Sequence, residues 1–513
     1  MATEIELKFD VEPSARKALA SVPALSGKPR RTRMRSIYYD TPEALLARNG
    51  MALRLRREGR RWVQALKAGS TGTGGVHSRG EWEFDRRGAT IDVTLLAGTP
   101  FAQLGDSEAL ASRLAPVFEV HFVRDAWTVE PAPGARLELA LDTGSVEAKS
   151  RSASVCEVEI ECLEGAPAHA FDLARTVMER VPLRASAVSK AERGYRLMKD
   201  ERARPMKAGK VHLDASMTPA GAARAVVAAG LAQLQANEAG LASGNDPEYV
   251  HQARVAMRRM RSALRMFRRE IGIDRARRWR DALAQTSRAL GRSRDWDVFA
   301  LRTLPAALAE HGDQALAARL KRRVARRRAS EREAARERLR SGAHANALLE
   351  ISQWLARADG GEDPAPRSPL VDFAARVIRK RRKRLFNRAL LLGTVDPAEQ
   401  HLVRIDAKRL RYALDALGSL FRQKALEPFA ATVEGLQDAL GDCNDAATAM
   451  RLVGELGATP AFEAFARGWF AGRAAASPQL LEPLVAGLTR KRSEWMRARG
   501  TRREAREARV EGV

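Results

Sequence analysis

The chain has 513 residues, 45% of them hydrophobic, with 89 Lys and Arg against 63 Asp and Glu for a net charge of +26. That length exceeds one ordinary core, so two or more domains are expected, and the charge calls for an anionic partner such as a phosphate polymer, nucleic acid or an anionic membrane. No apolar run is long enough to span a bilayer, nothing resembles a signal peptide, and three dispersed cysteines (Cys156, Cys162, Cys443) argue against a disulfide framework, so a membrane-embedded or exported protein is not expected and a cytoplasmic one is. The charge is uneven: residues 1–205 carry a net +4 and residues 206–513 a net +22, with a polar boundary at KDERARPMKAGK (199–210).

The first element reads as a strand. In EIELKF (4–9), Glu4, Glu6 and Lys8 alternate with Ile5, Leu7 and Phe9, which puts all three charges on one face. The pattern recurs. ALRLRREG (52–59) sets Arg54 and Arg56 opposite Leu53 and Leu55, and RGEWEFD (79–85) sets Arg79, Glu81 and Glu83 opposite Trp82 and Phe84. RLELALD (136–142) aligns Arg136, Glu138 and Asp142, and VCEVEIECLEG (155–165) aligns Glu157, Glu159 and Glu161. Breaks such as GSTGTGG (69–75) separate the strands and a helical pattern falls around 171–181, giving mostly antiparallel β-structure with a few helices. Singly, each charged face reads as solvated. Together, over clean apolar faces that pack under helices, they read as a barrel whose charged faces look at one another. Such an interior is satisfied by both signs together with divalent cations and a polyanion, because carboxylates hold hard cations such as Mg²⁺ while Arg and Lys hold phosphate oxygens. No P-loop, Ser–His pair or nucleophilic cysteine is visible, and His77, His121 and His169 are isolated.

The Glu-x-Glu-x-Lys of Glu4, Glu6 and Lys8 is followed in order by YYDTP (38–42), LRLR (53–56), LDTG (141–144), EVEIECLEG (157–165) and SKAERGY (189–195). This series resembles the CYTH family, the triphosphate tunnel metalloenzymes, over residues 1–200. The resemblance implies an eight-stranded antiparallel β-tunnel with flanking helices that binds a triphosphate with a divalent metal, Mg²⁺ or Mn²⁺. Carried onto this sequence, it implies phosphate contacts from Lys8, Arg54, Arg56, Lys67, Arg124 and Lys190. It implies metal-side carboxylates at Glu4, Glu6, Asp142, Glu157 and Glu159, with catalysis centred on Glu4, Glu6, Lys8 and Glu159. The implied reaction is hydrolysis of tripolyphosphate to diphosphate and phosphate. Thiamine triphosphatases and class IV adenylyl cyclases belong to the same family and stay open as alternatives, although Met51 and Ala52, rather than an aromatic, stand beside LRLR.

Residues 206–513 are rich in Ala, Leu and Arg and read as helical. HQARVAMRRMRSAL (251–264) aligns without gaps to HLVRIDAKRLRYAL (401–414), and LGRSRDWD (290–297) to LGDCNDAA (440–447), both at an offset of 150, which marks an internal duplication. In each copy the histidine and three following bases share a helical face: His251, Arg254, Arg258 and Arg261, then His401, Arg404, Lys408 and Arg411. Two such faces meeting across a pseudo-dyad would need an anion between them. The run 321–340 mixes acids and bases and reads as an exposed, solvated helix, while RKRRKRLFNR (379–388) adds further charge.

This half resembles the CHAD family over roughly 214–495, which implies two duplicated four-helix bundles around a basic groove that binds inorganic polyphosphate. The expected layout is α+β: a tunnel over 1–200, a linker over 201–212, an all-α domain over 213–497 and a charged tail over 498–513. The fusion resembles the architecture of bacterial inorganic triphosphatases, and a polyphosphate-binding, granule-associated protein with weak catalysis is the alternative. Only 5% of residues are aromatic and the basic half offers no stacking platform, which disfavours nucleic acid.

Overall fold

The computed structural model describes residues 3–201, 204–357, 368–389 and 397–475. They divide into two units: residues up to Pro205 together with Leu339–Asp359, and Met206–Arg338 together with Gly360 onward. The expected tail over 498–513 lies outside the described residues, as do the side chains of Glu4, Arg79 and Cys443.

The first unit is built on β1 (Thr3–Asp10), β2 (Arg30–Asp40), β3 (Met51–Glu58), β4 (Arg61–Thr73), β5 (Val76–Arg86), β6 (Ala115–Ala132), β7 (Ala135–Ala148), β8 (Arg151–Glu164) and β9 (Arg184–Ala185). The order is β5-β4-β3-β2-β6-β7-β8-β1-β9, and a further β1–β5 pairing closes the eight long strands into a barrel with every pair antiparallel. The sheet thus has the expected tunnel plus one strand more, the two-residue β9 beside β1. Closure leaves the long strands no free edge.

The alternation in β1 decides which side faces in. Leu7 and Phe9 point outward into a core with Leu137, Leu139, Leu141, Val158 and Ile160, covered by Phe171 and Val177 of α1 (Ala168–Met178). Burial of each such side chain contributes about 1.5–3 kcal/mol, so a one-residue slip that exchanged the faces of β1 is strongly disfavoured. Helix α2 (Lys190–Met198) starts at Ser189, whose Oγ accepts the Glu192 N–H at 3.1 Å, an arrangement that fixes Lys190 at the first helical position.

The second unit is helical: α3 (Pro219–Ser243), α4 (Pro247–Met266), α5 (Ile273–Val298) and α6 (Gln314–Arg340) come first. The next helix, α7 (Gly342–Ala356), belongs to the tunnel unit, where Leu349 joins the same core as Leu7 and Phe9. Then follow α8 (Leu370–Ala389), α9 (Pro397–Leu417), α10 (Gln423–Leu456) and α11 (Pro460–Ala475). The duplication is physical: α4 and α9 begin at Pro247 and Pro397, α5 and α10 at Ile273 and Gln423, and α4 packs against both α5 and α9. Among the described residues no helix is long and apolar enough to cross a membrane.

The expected exposed helix at 321–340 is present on α6 and most of its residues are exposed, but one stripe is not, since Val324, Arg332 and Ala335 are buried. Arg332 and Arg328 close on the fully buried Asp297 of α5 at 3.1 and 2.5 Å. A local charge pattern does not reveal a buried carboxylate far along the chain, and a buried arginine is tolerated only when so paired.

Candidate active site

The site is assembled by strand register. Asp142 of β7 stands opposite Arg124 of β6 on one side and Glu157 of β8 on the other. Glu159 of β8 lies between Ala140 of β7 and Lys8 of β1. The period of two keeps these side chains on the inner face.

Lys8 Nζ lies 2.7 Å from Glu159 Oε1, 3.1 Å from Glu157 Oε1 and 3.5 Å from Glu6 Oε1. Lys190 Nζ reaches in from α2, 2.6 Å from Asp142 Oδ2 and 2.9 Å from Glu159 Oε1, and also meets Glu157. Arg124 donates two parallel bonds to Asp142, at 2.8 and 2.7 Å, and a third to Glu159 Oε2 at 2.5 Å. Asp142 and Glu157 have no exposed surface.

Burial pushes the Asp142 and Glu159 carboxyls up, but Lys190 and the neighbouring cations outweigh it, so Asp142 is held below the usual carboxylate range and Glu159 well below. Lys190 is the mirror case: burial lowers it, yet Asp142, Glu157 and Glu159 raise its pKa above the ordinary lysine value. Glu161, beside this set, is pushed up by burial and then by Glu6.

Three carboxylates offer a metal its ligands. One oxygen each from Asp142, Glu157 and Glu159 lies within 4.8 Å of the other two. Glu157 Oε2 is buried and accepts no hydrogen bond from the described residues, its charged neighbour being Arg193 at 3.4 Å. A set of hard, ionised oxygen donors with a lone pair to spare fits an oxygen-seeking divalent cation.

The facing wall is basic. Lys67 lies 2.6 Å from Glu81, Arg54 3.3 Å from Glu81 and Arg56 3.0 Å from Glu83. These residues, with Glu6, Lys8, Arg124, Glu159 and Lys190, line a cavity of about 490 Å³, the size of a small-ligand site. Asp142 and Glu157 touch Lys190 from behind the lining. Ten of the expected tunnel residues therefore converge, leaving only the Glu4 side chain undescribed.

Residue patterns missed three contributors. Phe122 is one: Lys190 Nζ sits 5.0 Å and the Arg124 guanidinium 5.8 Å from its ring centre. Its position two residues before Arg124 on β6 was the available signal. Tyr38 lines the cavity beside Arg54, which lowers its phenol despite burial. Arg193 pairs with Asp10 and approaches Glu157, and its place one turn after Lys190 on α2 was the clue.

In the helical unit the duplicated faces of α4 and α9 meet. Lys408 is pushed down to about 7 by burial and by Arg404, Arg258, Arg254 and Arg411, so bases from both copies surround it. Burial and like-charge neighbours also lower Arg258 and Arg404. Asp295 lies 3.9 Å from Arg254, and its duplicate Asp445 acts on both Asp295 and Arg404. Of the other expected members, Arg261 has Arg280, Arg288 and Asp281 as its charged neighbours and His401 is exposed, while His251 is held down by burial, then by Arg294, with Arg258 and Arg254 of the cluster also lowering it.

Fold and site together define a charged β-tunnel protein joined to a duplicated basic helical module. The chain carries a CYTH domain over residues 2–195 and a CHAD domain over residues 225–454. It is similar to an inorganic triphosphatase of Haemophilus influenzae, 30% identical over 203 residues that cover 38% of this chain and 55% of that enzyme. The chain thus spans about half the length of that curated relative. Among solved structures it is similar to the CHAD domain from the plant Ricinus communis, at 30% identity and a TM-score of 0.49 over 57% of this chain and 98% of that one. PptA from Streptomyces chartreusis matches at 20% identity and a TM-score of 0.40, over 54% of this chain and 99% of that one.

Proposed function

We propose that the protein is a metal-dependent inorganic triphosphatase that hydrolyses tripolyphosphate to diphosphate and phosphate, and that its helical unit binds inorganic polyphosphate. The observation that carries the first part is the Asp142–Glu157–Glu159 cluster set in one closed lumen with the bases of both walls. The similarity to the Haemophilus influenzae enzyme supports the same reading.

Asp142, Glu157 and Glu159, with Glu6 and Glu4 assigned beside them, would hold Mg²⁺ or Mn²⁺. When bound, such a cation masks phosphate charge and lowers the pKa of water. Arg54, Arg56 and Lys67 take the phosphate oxygens. Their present partners Glu81 and Glu83 hold the side chains aimed into the lumen before substrate arrives, which reduces the reorganisation left for the reaction. Lys8, Lys190 and Arg124 keep the carboxylates ionised at neutral pH and place positive charge beside the terminal phosphoryl group. The water oxygen bonds to the terminal phosphorus, the anhydride P–O bond breaks, and the bridging oxygen leaves with its electron pair on diphosphate. The proton lost by the water goes to solvent. Charge that develops on the leaving group falls among the arginines.

Polyphosphate binding is supported by the convergence of Arg254, Arg258, Arg404, Lys408 and Arg411, a like-charge cluster that an anionic chain would relieve. Free, half-buried Cys156 and Cys162 fit a reducing cytoplasm. Phosphate release from tripolyphosphate, ATP and thiamine triphosphate, each with Mg²⁺, Mn²⁺ or EDTA, tests the catalytic reading. Tripolyphosphate is expected to be the preferred substrate and EDTA to abolish turnover. No metal-dependent release from any of the three overturns the reading, and preference for thiamine triphosphate or ATP moves it to those enzymes.

A further inference from the structure

We propose that Ser352, on the helix α7 that the distant segment Leu339–Asp359 adds to the tunnel unit, is a positioning residue that holds Lys8 in register through the Gly74–Gly75 turn. The activity arm of this inference rests on the triphosphatase reading. Its structural arm does not.

The turn between β4 and β5 needs an external hold. The stretch GSTGTGG (69–75) carries four glycines, which give the backbone the most conformational freedom to lose. Yet its last residue is wedged tightly. Gly75 has φ +82°, and a Cβ there would sit 2.9 Å from both the Lys8 carbonyl oxygen and the Ala185 Cβ. Gly75 O accepts the Lys8 N–H at 2.8 Å, and the Lys8 carbonyl accepts the Ser186 N–H at 2.9 Å. The backbone of Lys8 is therefore held at both its N–H and its C=O, once by this turn and once by the segment after β9.

Helix α7 supplies the hold. Ser352 is fully buried, and its Oγ lies 2.9 Å from Gly74 O and 2.8 Å from Leu348 O, so its one proton serves the turn and its own helix. Leu349 packs in the core that contains Leu7 and Phe9, the residues on either side of Lys8. Gln353 accepts a bond from Arg175 of α1 at 3.1 Å. The path runs from Ser352 to Gly74, across one peptide to Gly75, and by hydrogen bond to Lys8, whose ammonium stands 2.7 Å from Glu159. A shift of a fraction of an ångström at Lys8 Nζ is enough to cost about tenfold in rate.

The test uses the full chain with Ser352→Ala, and with Gln353→Ala as a control on the same helix that leaves Gly74 untouched. In Ser352→Ala, kcat for tripolyphosphate is expected to fall about tenfold with KM changed less than about twofold. Hydrogen exchange is expected to accelerate in peptides covering residues 3–10 and 70–78, and Gln353→Ala to do neither. Unchanged exchange in Ser352→Ala, equal acceleration in Gln353→Ala, or faster exchange with wild-type kcat overturns the positioning role. If the wild type hydrolyses no triphosphate, the functional reading fails by itself and the exchange comparison still decides whether Ser352 holds Lys8.

Discussion

The Tyr195 hydroxyl donates to the carboxylate of Asp40 at 2.8 Å, a buried bond across 155 residues that ties α2 to the end of β2. Asp40 also accepts the Thr41 and Leu46 N–H groups at Oδ1 (2.7 and 2.9 Å) and the Ala47 N–H at Oδ2 (3.0 Å). Lys190 sits on the same helix as Tyr195, so this bond anchors a lumen cation from the outside. Tyr195→Phe is expected to cost about 1–2 kcal/mol, and Asp40→Ala about 3 kcal/mol because it also strips three amides of their acceptor. Urea unfolding followed by tunnel tryptophans measures both. A wild-type midpoint for Asp40→Ala would remove the anchor.

Gly194 is a packing requirement on the same helix. A Cβ at this position would lie 2.1 Å from the Phe118 ring, which itself stacks on Tyr38 at 4.5 Å and meets Tyr195 edge-on at 5.1 Å. Gly194→Ala should destabilise by about 1–3 kcal/mol through overpacking. Phe118→Leu in the same chain should recover part of that loss, since the two changes share one space. Strictly additive losses in the double mutant would contradict the contact.

The parts of the fold that were legible in sequence are those with a local period. Glu6 and Lys8 announce an inward face because Leu7 and Phe9 alternate with them, and the offset of 150 marks α4 and α9 before any helix is drawn. What was not legible depends on partners far along the chain. Nothing in GAHANALLEISQWLA (342–356) tells it from its helical neighbours, yet Leu349 packs with Leu7 and Phe9 and not within the basic module. Arg332 looks like any base in a charged run until Asp297 appears beside it. Arg261 shares a helical face with Arg258, but the neighbouring helix α5 captures its charge environment with Arg280 and Arg288.

Asp142 is the strictest test of the carboxylate cluster. Asp142→Asn removes a metal oxygen and leaves Lys190 and Arg124 short of a buried counter-charge. Metal affinity should fall by at least about 100-fold, the upper value for loss of mere outer-shell support. The metal-free chain should lose about 3–5 kcal/mol. In the wild type, Mg²⁺ should raise the melting temperature in a concentration-dependent way, and in Asp142→Asn it should not. The acid limb follows from the lowered Asp142 and Glu159 carboxyls. Their stabilisation is fully present above the unfolded value near 4 and is lost as pH falls through the folded values, so Asp142→Asn should flatten the wild-type decline below about pH 4. A variant with wild-type Mg²⁺ response would refute the cluster.

Lys408 should make polyphosphate binding take up a proton. It is the lysine at the meeting of α4 and α9, where its charged neighbours are Arg404 and Arg411 on its own helix and Arg254 and Arg258 on the other. Asp295 and Asp445, on α5 and α10, act on those arginines. Arginine does not deprotonate in this range, so the pressure of the cluster falls on the Lys408 ammonium, pushed down to about 7, and on the His251 imidazole, which burial, Arg294, Arg258 and Arg254 lower from its ordinary value. A bound polyanion acts in the opposite direction and raises that value. Between the free and bound values binding must therefore draw a proton from solution, and affinity must weaken as pH rises above about 7. At pH 6 Lys408 is already charged and its share of the uptake should vanish, leaving any uptake there to His251. Calorimetric titration of the full chain with long-chain polyphosphate, in buffers of different ionisation enthalpy at pH 6 and pH 8, measures the proton count directly. Lys408→Arg should lose the uptake at pH 8, because the charge at that position is then fixed. Lys408→Ala should also lower the slope of log affinity against log salt by about one contact. Proton uptake at pH 8 that persists undiminished in Lys408→Arg would assign the linkage to another group, and the absence of any polyphosphate binding would remove the role of the groove itself.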